Sequence, residues 1–409
     1  MRGTNFTAMH APGPFTKLAR SLPWLVRYPA WRAGGLVRRM TERGGTQHLI
    51  LVVANHFEPS WTREKVLLDL PTQLARLEDW CEQARSIGEA VRDHDETPFR
   101  HTNFYPAEQY HRPILERMAE LQAEGFGEVE IHLHHGVERP DTAENTRRAL
   151  TEFRDRLAEE HQCLSREGAD GPPRYAFVHG NWALANSARG RCCGVDSEMQ
   201  ILADTGCYAD LTLPSAPDVS QVARINAVYE CGHPLTERKP HRSGPNLRVG
   251  RRPEKLPIIF TGPLAFDWSR RKHGVPVPRL DNGALTGLYP PTLERLERWA
   301  SARIGVAGRP EWVFIKLYCH GFFDEDQPAM IGEDMRRFLS EAAELGERTG
   351  KFKLHFASAR EMYNMAVAAA DGHAGEPGQY RDYRLKQIMR PDTRGPVARA
   401  ETDVVHQLG

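Results

Sequence analysis

The chain has 409 residues and lacks any long apolar run. No stretch approaches the roughly 18–20 residues that cross a bilayer. Pro23, Arg27, Pro29 and Arg32 interrupt the N-terminal region, so no signal peptide is expected. Net charge is also missing: Lys plus Arg number 54 and Asp plus Glu number 54. The molecule therefore has no bulk attraction for nucleic acid or acidic substrates, and no basic stripe interleaved with aromatics makes up for that. The seven cysteines are odd in number and contain no C-x-x-C. Neither a disulfide framework nor a cysteine-based zinc site is expected, and a reducing cytoplasm is the simplest setting. G-x-G-x-x-G and G-x-x-x-x-G-K-[ST] are absent, which leaves nucleotide binding without support. There is no internal repeat or low-complexity tract.

What is present divides into three parts. Residues 1–46 form a basic arm, with Arg2, Lys17, Arg20, Arg27, Arg32, Arg38, Arg39 and Arg43 before or beside the first acid, Glu42. Phe15, Leu18, Leu22, Trp24, Leu25, Trp31, Leu36 and Val37 lie among them. Such an arm can touch an anionic membrane surface peripherally. The favoured reading is an extension that packs on the domain through Trp24 and Trp31. Residues 47–370 form the main domain, with a Pro-, Gly- and Arg-rich surface excursion at 232–256. The tail, 371–409, is assigned no fold.

Within the main domain, apolar strands alternate with amphipathic helices. His48–Ala54 is a continuous apolar run, as in a strand buried on both faces. Further strands are expected at 99–106, 128–134, 174–179, 208–213, 256–262, 311–319 and 353–357. Helices are expected at 63–89, 107–124, 141–161, 196–205, 291–304, 329–348 and 360–370. Asp141 is the expected N-cap of the third helix, with Glu144 at capping-box distance. Residues 263–290 read as irregular. The pattern predicts an α/β fold with a mostly parallel sheet, closed as a barrel or open.

The strand at 128–134 carries the chemistry. Val129, Ile131 and Leu133 alternate with Glu130, His132 and His134, as in a half-buried strand. His132 and His134 share a face, roughly 6–7 Å apart, and can converge on one ion. Other strand ends bring His56-x-Glu58, Thr102-Asn103, His179-Gly180-Asn181-Trp182 and His320. In barrels and open sheets such ends gather on one rim. A catalytic zinc takes three protein ligands: His132, His134 and either His56 or Glu58. Glu58 is the base candidate if His56 ligates, and His320 is the candidate general acid. Asn103, His179, Asn181 and Trp182 are candidate substrate contacts. His135 reads as a supporting or surface residue, and Cys319 as pointing inward.

With these residues in view, residues 47–365 resemble the polysaccharide deacetylases of the glycoside hydrolase/deacetylase superfamily. Asn55-His56-Phe57-Glu58 stands where the family has its acidic or metal motif. Thr102-Asn103-Phe104-Tyr105 is similar to its A-T-F-F segment, Glu130-Ile131-His132-Leu133-His134 to E-I-x-L-H, and Leu317-Tyr318-Cys319-His320 to its late strand ending in histidine. The resemblance implies a distorted (β/α) barrel of about seven strands, a divalent metal (most simply Zn2+) and removal of an acetyl group from a carbohydrate such as a surface-polysaccharide precursor. The family's Asp-Asp pair is missing, and Glu138 stands where H-x-x-x-H would place its second histidine. Two other functions are compatible with this scaffold. One is a glycoside hydrolase, for which Glu58, Asp210 and Asp267 are the conceivable carboxylates. The other is a non-catalytic glycan-binding protein. Oligomeric state is left open.

Overall fold

A computed structural model describes residues 14–33 and 45–390. Arg2, Leu36, Val37, Arg38, Arg39, Glu42 and Arg43 of the arm, the side chains of Phe15, Lys17 and Leu18, and residues 391–409 of the tail lie outside the described set. In chain order the main elements begin with α1 (Pro14–Leu25), β1 (Gln47–His56), α2 (Leu70–Ala90), β2 (His101–Pro106), α3 (Arg112–Ala123) and β3 (Gly127–Leu133). Next come α4 (Ala143–Glu159), β4 (Pro173–His179), α5 (Glu198–Asp204), β5 (Cys207–Asp210), β6 (Val228–Tyr229) and β7 (Ile258–Phe260). The last are α6 (Leu293–Ser301), β8 (Trp312–His320), α7 (Glu333–Thr349), β9 (Phe352–Phe356) and α8 (Ala359–Ala370).

The expected alternation builds one large, mostly parallel sheet. Its strand order is β8-β1-β2-β3-β4-β5-β7-β6, with β9 also on β1. β1 lies at the centre because its residues are apolar on both sides. It pairs in parallel with β8 along His48–His56, with β9 along Gln47–Leu51 and with β2 along Ala54–His56. Only β6 runs antiparallel on this path. β8 and β6 stand at its ends, and among the described residues no ladder joins them. The chain still brings that region together at one point, where Lys316 Nζ on β8 donates to the Leu211 carbonyl at 2.8 Å.

Alternation along each strand divides the core. Leu49, Leu51, Val53, Val129, Ile131, Leu133, Tyr175 and Phe177 face helices through Leu77, Trp80, Met118, Leu150 and Phe338. Ile50, Val52, Ala54, Ala176, Val178 and Phe314 face the other way, onto Met362 and Met365 of α8. Every residue of α8 is buried, as its Ala- and Met-rich sequence requires.

Several expectations need correction. β3 is buried throughout rather than half-exposed. Its polar face meets protein: Glu130 accepts from the Ala176 amide at 2.6 Å and from the Tyr208 hydroxyl. α2 starts at Leu70, not residue 63, because Asp69 caps it by accepting from Thr72 N at 2.9 Å. Thr142, not Asp141, caps α4, since the Asp141 carboxylate is taken by His135 at 2.9 Å. Residues 263–290 contain two short hairpins, Ala265–Asp267 with Arg279–Asp281 and Arg271–Lys272 with Val275–Pro276.

The described part of the arm, residues 14–33, packs on the domain as favoured. Trp24 is 1% exposed among Ala216, Ile225 and Leu264, and it stacks on Phe266 with centroids 5.7 Å apart. Trp31 lies against the core. Among the described residues, no helix is long and apolar enough to cross a membrane.

The tail up to residue 390 does have a fold. Leu385–Gln387 pairs with Ser165–Glu167. Arg360 at the start of α8 binds Glu128 Oε1 at 2.9 Å, Asp382 Oδ1 at 2.5 Å and the Leu385 carbonyl at 3.0 Å. Its planar fork ties helix, sheet and tail together. Arg360→Ala strands the buried Glu128 carboxylate and is expected to cost about 3–5 kcal/mol. Urea denaturation checks this, and an unchanged midpoint refutes it.

His101 sits between Trp80 and Phe99 and bonds the Met330 carbonyl at 3.0 Å. Burial pushes its pKa down from the ordinary 6.5 to about 4. Between those values the unfolded chain binds more protons, so wild-type stability falls as pH drops through that window. His101→Asn lacks this contribution. The stability difference between wild type and variant is expected to shift against wild type from about pH 6.5 to 4, as measured by denaturation at several pH values.

Candidate metal centre

The site begins with one buried amide. Asn55 Oδ1 accepts from Gly321 N at 2.9 Å, and its Nδ2 donates to Asn103 Oδ1 at 3.0 Å. A Cβ at Gly321 would stand 2.8 Å from that amide, so the approach needs a glycine. The staple joins the ends of β1, β2 and β8 and sets His56 opposite His320 in the ladder. Phe57 turns into the core against Trp80 and Phe322. His56 and Glu58, two residues apart, are thereby both directed toward β3.

There His56, Glu58 and His132 bring ligand-type atoms within 4.8 Å of one another. Glu58 Oε1 is 3.1 Å from His132 Nε2 and 3.1 Å from His134 Nε2. The His56 ring lies 4.8 Å from that of His132 and 4.6 Å from that of His320. His320 stacks on Phe323 at 5.3 Å. All five residues expected at this centre are thus brought together. Glu58 and His56 both belong to the tight group, and His134 joins it through Glu58.

Hydrogen bonds settle which ring nitrogens face inward. His132 Nδ1 lies 2.7 Å from the Val178 carbonyl, which can only accept. His134 Nδ1 lies 2.7 Å from Glu108 Oε1. Each Nδ1 therefore carries a proton, and each Nε2 faces the Glu58 carboxylate. Three acceptors facing one another are repulsive unless a cation, either a proton or a metal, lies among them. The charge shifts express this demand. Burial opposes a charged His134, but Glu58 and Glu108 outweigh it and lift the ring to about 10. Burial would raise Glu58, yet His134 and His132 hold it well below the usual carboxylate range. Burial, then His320 and His132, push His56 well down. Burial lowers His320 to about 4. Imidazoles with an outward Nδ1–H held by a carbonyl or carboxylate are typical metal ligands. The buried cluster could hold a metal ion.

The four expected substrate contacts separate. Asn103 is 2% exposed and is used by Asn55, so it braces the site and does not face a substrate. His179 is 0% exposed and lies in a different cluster with His135 and Glu198. Gly180 packs against the His134 ring, where a Cβ would stand 2.3 Å from it. Asn181 beside it is exposed and Trp182 half-buried, so these two remain at the rim. Cys319 points inward, 1% exposed. Sequence reasoning missed Glu108, which holds His134. Its only signal was its place just after β2, and a single surface acid is not distinctive. It also missed the grouping of His135, His179, Cys193 and Glu198.

Comparison with family models, curated proteins and solved structures returned no match. The geometry therefore stands on its own.

Glu108→Gln removes the charge that holds His134. Metal affinity is expected to drop roughly 10–100-fold with the fold intact, as read by chelator competition. Unchanged affinity would exclude His134 from the centre.

Proposed function

We propose that the chain is a metal-dependent hydrolase that removes an acetyl group, as amide or ester, from a carbohydrate. One observation carries the reading: the inward Nε2 atoms of His132 and His134 meet Glu58 beside His56 and His320 at the C-terminal strand ends. The imidazoles of His56, His132 and His134 would be the donor set for a divalent ion, most simply zinc, which leaves the Glu58 carboxylate beside it. Such an ion would supply Lewis acidity and activate water near neutral pH. We also read the sheet as a distorted barrel whose seam lies beside β8, supported by the Lys316–Leu211 bond across it.

The chain's own groups divide the proton work. Glu58 is held ionised and can take a proton from the attacking water. His320 favours its neutral form; it must take up that proton before giving it to the leaving amine or alcohol. Water adds to the acetyl carbon, the C–N or C–O bond breaks, and acetate and the protonated sugar group leave. Asn181 and Trp182, exposed and half-buried beside His134, would meet the sugar. The glycosidase reading gains no support, because the other carboxylates are engaged. Asp210 is bound by Thr212 at 2.7 Å, and Asp267 by Tyr289 at 2.6 Å and Arg298 at 2.8 Å. Seven free cysteines fit a reducing compartment such as the cytoplasm.

Acetate release from N- and O-acetylated oligosaccharides tests the proposal. Turnover is expected to depend on added zinc, to fall roughly 100-fold or more in Glu58→Gln, and to vanish with the metal in His132→Ala. Equal release by stripped protein and by His132→Ala would sink the hydrolase. Tight glycan binding without turnover under every divalent metal would replace it with the non-catalytic reading.

A further inference from the structure

A second cluster lies on the other face of the sheet. His132 and His56 continue the row of Val178 and Ala54, whereas His179 continues the row of Tyr175 and Phe177. At this second place His135, His179, Cys193 and Glu198 bring ligand-type atoms within 4.8 Å of one another. Their exposures are 7%, 0%, 0% and 0%. His135 Nε2 is 3.0 Å from His179 Nε2 and 2.8 Å from Glu198 Oε1. His179 Nε2 is 3.3 Å from that same oxygen. Cys193 Sγ is 3.6 Å from Glu198 Oε2.

The outer partners fix the orientation of each ligand. Thr146 gives its hydroxyl proton to Asp141 Oδ2 at 2.9 Å, and His135 Nδ1 faces the same carboxylate oxygen at 2.9 Å. His179 Nδ1 faces the Gly180 carbonyl. Both Nδ1 atoms therefore hold protons, and both Nε2 atoms face the centre. Glu198 Oε2 accepts from Ala185 N at 2.5 Å. Val195 N donates to Cys193 Sγ at 3.5 Å and fixes the sulfur's position. Two imidazole Nε2 atoms, a carboxylate and a thiol thus face one another in a buried space.

The backbone is shaped to bring them there. Gly136 has φ +62°, and a Cβ on it would fall 2.0 Å from the Cys193 carbonyl oxygen. Gly194 has φ +101°, and a Cβ there would fall 2.6 Å from Pro140. Asp141 N closes the contact on Cys193 O at 2.7 Å.

We infer that His135, His179, Cys193 and Glu198 form a second, structural metal site for a borderline divalent ion such as zinc. Two nitrogens, one sulfur and one oxygen make a four-ligand, closed set, as structural zinc sites require. Metal there ties the ends of β3 and β4 to the 192–195 loop and α5. It thereby also holds Gly180 against His134 of the first centre, although the inference does not depend on what the first centre does.

The test uses full-length protein without a histidine tag. Elemental analysis is expected to give one metal equivalent more than the first centre accounts for. His132→Ala keeps this equivalent, and Cys193→Ser and Glu198→Gln lose it, with lower thermal midpoints. Reconstitution with Co2+ reports the ligand directly, because only this cluster contains a cysteine. A thiolate-to-cobalt charge-transfer band should appear in wild type, persist in His132→Ala and vanish in Cys193→Ser. If Cys193→Ser does not fold, the band in His132→Ala decides alone: present supports the site, absent overturns it. Equal metal content in wild type and Cys193→Ser would show that a proton, shared by His135 and Glu198, fills the cluster instead.

Discussion

The buried amide of Asn55 sets the geometry on which the rest of the rim depends. It has no access to water, so both ends of the amide must find protein partners. It finds them on Gly321 and Asn103, the neighbours of β1 on either side. A shift of one residue in either ladder would leave it unsatisfied and would send His56 or His320 to the opposite face. Register, orientation and the meeting of His56 with His320 therefore come from one polar group in an apolar setting. Gly321 permits it, since any side chain there would collide with the amide.

The same logic recurs at both clusters. His132 and His134 in the first, and His135 and His179 in the second, commit Nδ1 to an outer carbonyl or carboxylate, which turns Nε2 inward. The Nε2 atoms then meet carboxylates in a buried space, and positive charge, a proton or a metal ion, balances them. Two such groups lie on opposite faces of one rim, and they differ in composition. The first holds imidazoles and a carboxylate, with His134 and His320 only partly covered. The second adds a thiol and is closed by α5 and its loop. Openness suits chemistry on a substrate, and closure suits holding strands in place.

Legibility in the sequence followed the range of the interactions. β1, β4 and β8 were readable because a continuous apolar run is a local property. His132 and His134 were readable because i and i+2 share a strand face. Gathering His56, Glu58 and His320 with them needed only the rule that parallel strand ends line one rim. β3 misled because alternation of polar and apolar residues has two causes. Glu130 and His132 face buried partners from β4 and β5, which no local pattern reveals. The tail was unreadable because its order comes from Arg360 and from pairing with the distant Ser165–Glu167. Asn103 had the right neighbourhood and the wrong role, since its side chain is used inside the rim.

The amino-acid sequence by itself determined the α/β class, the order of the strands along the chain, and one histidine pair with its direction. These rest on periodicity, which acts over a few residues. Only the tertiary structure decided which face each rim residue takes, which nitrogen points inward, and that Cys193 and Glu198 join His135 and His179. Those choices depend on hydrogen bonds and glycine-permitted close approaches between segments tens of residues apart, and such contacts leave no periodic trace in the chain.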